Sequence, residues 1–448
     1  MSAGTKNSSS SGGGGGGGTA ARALRFTGHV AFRQRLILAV LAGKPIRIDR
    51  IRSDDEQPGL RDFEAGFLRL LEKCTNGTHV EIGYTGTSLL LRPGIISGGK
   101  ITHDCGTARP VGYYLEWIAL LAPFAKKEFS LTLKGITNGE TDLGVDILRT
   151  VTLPHLSLFL PPSTSALASA LELRVLKRGA APLGGGEVFF QCPLLPSSGG
   201  GEAGGMLRTI NFVEPGRIRR IRGIATAMRV SPQMANRMID AARGVLNRYI
   251  PDLFLFSDVY KGDDSGKSPG FALSLVSTST TGALHCAEGV SQPGSVPEDV
   301  ALKTARSLLS EIATRGCIDR AHQSHVLALM ALGPQDVGKV RLGTLTPQSV
   351  QMMRDIKEAL GVTFKIAEAP SNSGTTTQLR SKLPKSTVTR NRDEDDDEHE
   401  DEEEFQGFDD VEVEQDSEED EEVAAVQRSP ELFVSCLGIG ARGYRKVG

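Results

Sequence analysis

One local pattern recurs three times in this sequence and restricts the possible folds more than any other feature. Each copy combines a short strand, a polar loop, an amphipathic helix and a second strand, and the copies span 45–84, 129–160 and 340–366. In the first copy, the apolar residues that fall on one helical face are Phe63, Phe67, Leu70 and Leu71. Helices and strands that alternate in this way pack in layers. The pattern predicts an α/β (α+β) protein whose body is built of repeated βα units, with helices packed on sheets.

A further stretch, residues 206–289, has its own pattern of strands and helices. "GRIRRIRGIATAMRV" is typical of a strand, and "FALSLVSTSTTGALHCAE" of a hairpin. Between them, Ser231 and Pro232 suit the N-cap and the first position of a helix. These elements predict a smaller inserted α/β domain.

The charges are divided unevenly along the chain. Of its 54 acidic residues, 21 lie between Asp393 and Glu422, a block without Lys or Arg. The other 33 face 51 basic residues, so the rest of the chain carries a charge of about +18. A basic body favours a polyanionic partner, whereas the acidic block is expected to repel itself and stay disordered. One interpretation is that the block only promotes solubility. The other is that it competes with RNA for the basic body or binds a basic partner.

Cysteine and histidine spacing gives no metal motif. The six cysteines are scattered without a CxxC pair, which favours reduced thiols over a disulfide framework or a zinc site. His322 and His325 are three residues apart, but the sequence indicates no third ligand. The longest early apolar run, "LILAVLAG", is too short to span a membrane. We expect a soluble, intracellular protein with no metal, no cofactor and no membrane association.

An arginine-rich strand is the strongest candidate for a binding surface. In "GRIRRIRG", Arg217 and Arg219 alternate onto one face of the strand, and Arg220 and Arg222 onto the other. Guanidinium groups suit phosphate oxygens, and neighbouring Arg237 could widen the same surface. RNA or an acidic partner could bind here, and a solvated, salt-bridged sheet edge is the alternative.

The first long helix provides a second basic candidate. In "GHVAFRQRLILAVLAGKP", Arg33 and Arg35 lie at the N-terminal end of the predicted helix. Cations there oppose the helix dipole, so an anion nearby would stabilise them. These two arginines either contact RNA or a partner, or lie there as a chance surface arrangement, and the sequence leaves both interpretations open.

A third basic segment, "KGDDSGKSPGF", resembles a phosphate-binding loop only at first sight. Gly262 and Gly266 enclose three residues where the motif requires four, and the segment leads into a strand instead of a helix. We therefore retain Lys261 and Lys267 as candidate RNA or partner contacts, not as nucleotide ligands.

The segment "GCIDRAHQ", Gly316 to Gln323, gathers an acid, a base, an imidazole and a thiol within a few positions. One interpretation is a nuclease in which Asp319 acts as acid or base and Arg320 steadies a phosphate. A single carboxylate without evident metal ligands is thin support for that chemistry.

Several long segments together resemble one family. "FRQRLILAVLAGKP", "PGLRDFEAGFLRLLEKCTNG", "RRIRGIATAMRVSPQMANRMI", "SGKSPGFALSLV" and "LGTLTPQSVQMMRDIKEALGVTFKI" closely resemble the RNA 3'-terminal phosphate cyclase-like proteins, the nucleolar relatives of RNA 3'-phosphate cyclases. The similarity covers nearly all of 25–366, and "ELFVSCLGIGARGYRKVG" is similar to the closing segment of the family. The resemblance implies repeated βα units with one inserted α/β domain.

With this resemblance, the chain divides into six segments. They are a disordered Gly/Ser-rich tail at 1–23, the first part of the body at 24–205, the inserted domain at 206–289, the last repeat of the body at 290–368, a disordered acidic insertion at 369–430 and a segment closing the body at 431–448.

The resemblance also implies that cyclase chemistry is lost. Active cyclases take AMP from ATP on a histidine in a His-x-x-Asp-Gln segment, and aligning Gln323 with that glutamine puts Asp319 at the place of the nucleophile and His322 at that of the aspartate. A carboxylate would give an unstable mixed anhydride where imidazole gives a phosphoramidate. Active enzymes also carry a Glu-Gly-Gly-Gly-Gln stretch, of which "FTGHV" retains Gly28.

The function implied by the resemblance is ribosome assembly in the nucleolus. The expected role is non-catalytic, in the early pre-rRNA cleavages that release small-subunit rRNA, with an assembly GTPase, other components of the small-subunit processome and pre-rRNA as partners. Two alternatives stay open: an endoribonuclease using Asp319, and a surviving cyclase with a displaced nucleophile.

Overall fold

The computed structural model describes residues 23–161, 171–195, 205–368 and 431–443. Helices and mixed sheets alternate through these ranges, which confirms the α/β class. The acidic insertion and nearly all of the N-terminal tail lie outside the described residues. No helix among the described residues has the length and apolar character needed to cross a bilayer.

The first unit of the body has one sheet of four strands, in the order β1-β2-β5-β4, and a two-stranded β3-β6 pair. Its helix α2 begins where the Glu64 carboxylate accepts a hydrogen bond from the Arg61 N–H. Phe67, Leu70 and Leu71 on the predicted face of α2 are fully buried. The elements are β1 (Leu24–Thr27), α1 (Phe32–Ala42), β2 (Ile46–Asp49), α2 (Asp62–Cys74), β3 (Thr75–Asn76), β4 (His79–Ile82), β5 (Leu89–Arg92) and β6 (Ile95–Ile96).

The second unit has a four-stranded sheet in the order β7-β8-β10-β9. The sequence pattern predicts a strand at the end of the second copy, and this prediction is wrong. Residues 145–158 are helical throughout, with a π-helical turn at Leu148–Thr152. Its apolar residues Ile147, Leu148 and Val151 recur at helical spacing and are buried. The elements are β7 (Gly99–Asp104), α3 (Val111–Leu121), β8 (Phe129–Gly135), α4 (Val145–Ile147), α5 (Leu153–Leu158), β9 (Glu172–Lys177) and β10 (Gly186–Cys192).

A separate sheet, in the order β13-β12-β14-β15, follows a short strand, β11 (Asn211–Phe212). Ser231 caps the helix after β12, with its side chain accepting a hydrogen bond from the Gln233 N–H, and the predicted hairpin is the antiparallel β14-β15 pair. Both helices of this unit pack on one face of the sheet. The elements are β12 (Ile218–Met228), α6 (Pro232–Leu246), β13 (Leu253–Tyr260), β14 (Gly270–Ser279), β15 (Leu284–Val290) and α7 (Pro297–Ala313).

The third unit of the body completes the fold around a central helix. Its sheet has the order β11-β16-β18-β17, so the closing segment places β18 between two strands of the last repeat. All ten residues of the central helix α8 are buried, including the polar Gln323, Ser324 and His325 of its first turn. The elements are α8 (Gln323–Leu332), β16 (Val337–Leu342), α9 (Pro347–Leu360), β17 (Lys365–Glu368) and β18 (Leu432–Leu437).

The domain boundaries at 206 and 289 stay a prediction, and two contacts bear on them. β11 pairs with β16, so residues 211–212 share a sheet with the body. Helix α7, beyond residue 289, contributes Ala301, Ala305 and Leu308 to the core under the β12–β15 sheet.

Candidate functional site at the junction of insertion and body

The segment "GCIDRAHQ" lies where the β12–β15 sheet of the predicted insertion, called the inserted sheet below, meets the third unit of the body. Ile318 forms parallel bridges with Leu284 at the start of β15 and with Leu342 at the end of β16. Asp319 comes next, and a single 3-10 turn, Arg320–His322, leads into α8. The backbone thus places Asp319 between the two sheets, directly before the central helix.

Asp319 is 1% exposed, and both of its carboxylate oxygens are hydrogen-bonded. His322 Nδ1 lies 2.8 Å from each oxygen, and the Cys286 thiol donates to Oδ2 across 2.8 Å. Burial raises the pKa of Asp319, but the charge and the hydrogen bond of His322 outweigh it and lower this pKa to about 2. The carboxylate is therefore ionised and enclosed by the protein.

A second imidazole lies against His322. The His155 and His322 rings pack edge to face with centroids 5.2 Å apart, and His322 Nε2 is 2.7 Å from Thr152 Oγ1. His155 is 2% exposed, and burial lowers its pKa to about 3, so its ring is neutral. Donor atoms of His155, Asp319 and His322 all lie within 4.8 Å of one another, and these three residues could hold a metal ion. Sequence spacing missed the group because His155 lies on a different element, α5.

Arg320 and Gln323 turn away from Asp319. The Arg320 N–H and Nε both donate to the Glu311 carboxylate of α7, each across 2.7 Å. Gln323 is fully buried and binds the backbone of Thr344 and the Ser349 hydroxyl. The two residues predicted for a nuclease, Asp319 and Arg320, are neighbours in sequence that bind different partners.

Arg33 and Arg35 are paired with carboxylates of the protein itself. Arg33 Nη1 is 2.9 Å from Glu116 Oε2, and its Nη2 is 3.5 Å from Asp142 Oδ1. Arg35 Nε is 3.2 Å from Asp355 Oδ2, and Arg35 is 8% exposed. The anions that the helix dipole argument requires at the start of α1 are therefore supplied from α3, α9 and the loop after β8.

A cavity of about 780 Å³ opens beside the N-terminus of α1. The preceding loop turns at Gly28, whose φ of +76° favours glycine. Arg52 pairs with Glu64, and Arg109 shares Asp142 with Arg33. The cationic side chains that line the cavity are Arg33, Arg52, Arg109 and Arg354.

The arginine-rich strand is β12, and only part of the predicted pattern holds. Arg220 and Arg222 share a face, as predicted, and line a groove of about 410 Å³ against the helical segment 145–158. The pairing with β14 shifts between Ile218 and Arg220, and Arg217 precedes the strand, so the predicted alternation of Arg217 with Arg219 is wrong. The regular alternation begins only at Arg220.

The predicted extension of this surface to Arg237 is wrong as well. Helix α6 packs on the opposite face of the sheet, against Ile221 and Ala225. There Arg237 binds Glu298 through two hydrogen bonds of 2.6 and 2.8 Å. Arg222 is also paired, with Asp252 at 2.8 Å.

Five of the predicted binding residues have no ion-pair partner within the part of the chain that the structure describes. Their side chains are exposed and form no ion pair within the described ranges: Arg217, Arg219, Arg220, Lys261 and Lys267. The two lysines flank the 3-10 turn at Gly262–Asp264, and the segment continues into β14, as predicted.

An aromatic pair that the sequence analysis missed lies beside the groove. Phe254 and Phe256 on the edge strand β13 are 50% and 52% exposed, and their rings are 4.4 Å apart. Phe256 lines the groove together with Arg220 and Arg222. The signal in the sequence is "LFLF", in which two phenylalanines alternate onto one face of a strand.

Comparison with known proteins identifies the family. The model of the RNA 3'-terminal phosphate cyclase family matches residues 24–366, and the chain belongs to this family. It is 47% identical over 368 residues to a probable RNA 3'-terminal phosphate cyclase-like protein of Dictyostelium discoideum, covering 79% of this chain and 95% of the relative.

Two further relatives extend the comparison. The human RNA 3'-terminal phosphate cyclase-like protein is 45% identical over 79% of this chain and 92% of its own length. A Schizosaccharomyces pombe relative, 45% identical over 78% of this chain and 93% of its own length, is named an rRNA processing protein. These relatives confirm the resemblance to the cyclase-like proteins.

Proposed function

We propose that this protein is a non-cyclising rRNA-processing factor of the nucleolus, which acts in the early pre-rRNA cleavages for the small ribosomal subunit. In this role it is a scaffold that binds a ribosome-assembly GTPase, other processome components and pre-rRNA. The relatives named rRNA processing proteins, from Schizosaccharomyces pombe and Saccharomyces cerevisiae, support the process. The partners are inferred from the family resemblance and from the basic charge of the body.

The environment of Asp319 carries the non-catalytic part of the proposal. The family resemblance puts Asp319 at the place of the cyclase nucleophile, and Asp319 is 1% exposed with both oxygens hydrogen-bonded. A nucleophile must reach the phosphorus of its substrate, and an enclosed carboxylate shared by His322 and Cys286 does not. His322 cannot replace it, because its side chain is fully buried and does not reach a substrate.

The endoribonuclease alternative gains no support from this geometry. A general acid or base has to lie within hydrogen-bonding reach of the substrate, directly or through one water molecule. Asp319 is enclosed, and Arg320 is bound to Glu311 through 2.7 Å contacts.

Labelled ATP and RNA would test the absence of catalysis. The purified full chain is incubated with labelled ATP, with an RNA bearing a 3'-phosphate, and with a pre-rRNA fragment spanning the early cleavage sites, all in the presence of Mg²⁺. An active cyclase of the family serves as positive control for adenylylation and cyclisation. We expect binding of pre-rRNA without covalent nucleotide, cyclic ends or cleavage. Cleavage that disappears in Asp319→Asn, under conditions where circular dichroism shows that this variant is folded, would overturn the proposal in favour of the nuclease.

The groove beside β12 is the surface that supports RNA binding. It combines the guanidinium groups of Arg220 and Arg222, which can bind phosphate, with the exposed Phe256 ring, on which a base can stack. Arg220 is exposed and has no ion-pair partner among the described residues, whereas Arg222 is paired with Asp252.

Charge reversal distinguishes RNA binding at this groove from a general effect of the net charge of the protein. The variant Arg220→Glu should weaken binding of a pre-rRNA fragment and reduce the salt dependence of the affinity. Arg174→Glu, which alters an exposed arginine paired with Glu172 on β9, changes charge elsewhere and should have a smaller effect. Equal losses in both would mean that the net charge, and not this groove, determines binding.

A further inference from the structure

His155 is a buried polar side chain that the proposed function leaves unexplained. It is 2% exposed, and neither Nδ1 nor Nε2 has a hydrogen-bond partner among the described residues. A neutral imidazole carries one donor and one acceptor, and burying either without a partner is unfavourable. Something other than the described side chains should therefore bind this ring.

The groups facing His155 are metal ligands. Its ring packs on His322, and donor atoms of His155, His322 and Asp319 lie within 4.8 Å of one another. Ligands around a tetrahedral Zn²⁺ are separated by roughly 3.3–3.8 Å, given metal–ligand bonds of about 2.0–2.3 Å. The 4.8 Å limit exceeds this separation by about 1 Å, whereas His322 Nδ1 and the Asp319 oxygens, 2.8 Å apart, have to move slightly apart to enclose an ion.

A sulfur atom lies beside this group, in contact with Asp319 but outside the set of donor atoms that lie within 4.8 Å of one another, so Cys286 has to move to become the fourth ligand. Cys286 Sγ is 2.8 Å from Asp319 Oδ2. Two imidazoles, a carboxylate and a thiolate form a donor set that suits Zn²⁺ and not Mg²⁺ or Ca²⁺, which prefer oxygen ligands. On binding, the Cys286 thiol releases its proton to solvent and the sulfur forms the metal bond.

We propose that His155, His322, Asp319 and Cys286 form a zinc site that fastens the inserted sheet to the body. His155 belongs to α5 and Cys286 to β15, while Asp319 and His322 belong to the turn before α8. One ion would therefore join the helical segment of the second unit, the edge of the insertion and the start of the central helix. A closed site of four protein ligands has a structural role, and its binding energy adds to the stability of the fold.

The direct test is metal content and stability of the full chain. The protein is stripped with a chelator, dialysed and titrated with Zn²⁺, and the bound metal is measured by plasma mass spectrometry together with Tm. We expect one Zn²⁺ per chain and a rise in Tm. With Co²⁺ in place of Zn²⁺, intense visible bands of a tetrahedral site and a near-ultraviolet cobalt–thiolate band should appear, and Cys286→Ser should remove the second.

Matched variants distinguish this site from binding elsewhere on the chain. His155→Gln should lose the bound metal and the rise in Tm, whereas His103→Gln, at another buried histidine with an unpartnered nitrogen, should keep both. Absence of stoichiometric metal on the wild-type chain, or equal binding by His155→Gln, would overturn the proposal. If His155→Gln does not fold, the Co²⁺ spectrum of the wild type decides, because a spectrum of octahedral cobalt without a thiolate band excludes this ligand set.

Discussion

His322 and Asp319 form a pair in the interior of the protein, with Nδ1 2.8 Å from both carboxylate oxygens and neither residue more than 1% exposed. The pair occupies the position at which the family resemblance puts the nucleophile of an active cyclase. Here the two side chains are hydrogen-bonded to one another, and the carboxylate lies between the β12–β15 sheet and the third unit of the body. The Cys286 thiol also donates to the carboxylate, so Asp319 connects the turn before α8 with β15.

Replacing Asp319 with Asn should therefore reduce stability. The change leaves His322 without its charged partner in a buried environment, and breaking a buried pair costs about 3–5 kcal/mol. The free energy of unfolding, measured with urea on the metal-free protein, should fall by roughly this amount. Asp263→Asn, in an exposed turn, should change it by less than about 0.5 kcal/mol. Equal stability of both variants would contradict a structural role for Asp319.

A second buried ion pair should be equally important for the insertion. Arg178 is 1% exposed, binds both oxygens of Asp146 at 2.5 and 2.9 Å, and reaches Asp258 of the inserted sheet at 3.0 Å. Arg178→Met should lower the free energy of unfolding by about 3–5 kcal/mol, because the Asp146 carboxylate stays buried without its partner.

The control for Arg178 is the exposed pair on β9. Arg174→Met removes a contact of 3.1 Å to Glu172, where both side chains are largely exposed, and should cost less than about 1 kcal/mol. A small effect at both positions would mean that Arg178 does not join the insertion to the body.

The sequence predicts local structure well where apolar spacing and caps agree. The buried face of α2 and the Ser231 cap of α6 both follow from residues within a few positions of one another. At the end of the second copy, "LSLFL" alternates like a strand, so the local pattern predicts a strand. The structure has the helix α5 there instead.

The candidate site depends on contacts that local spacing does not contain. His155, Cys286 and Asp319 come from three separate stretches of chain, and only the tertiary fold brings them together. Likewise, the arginines at the start of α1 were predicted to need an anion, but the sequence cannot show that Glu116 and Asp355 provide it.

Two glycines in helices should respond in opposite ways to alanine. A Cβ at Gly112 in α3 would lie 1.8 Å from the Leu143 carbonyl oxygen, so Gly112→Ala must displace the loop before α4. At Gly244 in α6 a Cβ would meet no atom within 4 Å, and alanine favours the helix by about 0.5–1 kcal/mol. Thermal unfolding should show a markedly lower Tm for Gly112→Ala and a slightly higher Tm for Gly244→Ala. A tolerated Gly112→Ala would mean that α3 and this loop are less closely packed than described.

The buried His103 should make stability fall in acid. Burial lowers the pKa of His103 to about 4 from an ordinary value near 6.5, and its Nε2 has no hydrogen-bond partner among the described residues. Between these values the unfolded chain binds a proton that the folded chain does not, so stability is full above pH 6.5 and is lost as the pH falls towards 4. His103→Gln does not titrate, so its Tm should decline less than that of the wild type over this range. The exposed His79→Gln should follow the wild type, and parallel curves for all three proteins would contradict the assignment.

The aromatic pair on β13 provides a test of RNA binding that differs from the charge reversals. Phe254 and Phe256 are half exposed, and stacking of a base on such a ring contributes about 1–3 kcal/mol. If the groove binds single-stranded pre-rRNA, Phe254→Ala together with Phe256→Ala should weaken binding at least tenfold and leave the salt dependence unchanged, because no phosphate contact is lost. Tyr84→Ala, at a fully exposed ring in the first unit, is the control and should bind normally. If the phenylalanine variant binds RNA like the wild type but no longer retains a protein partner, the groove is a protein-docking surface, and the RNA-binding part of the proposed function must be sought on another face of the body.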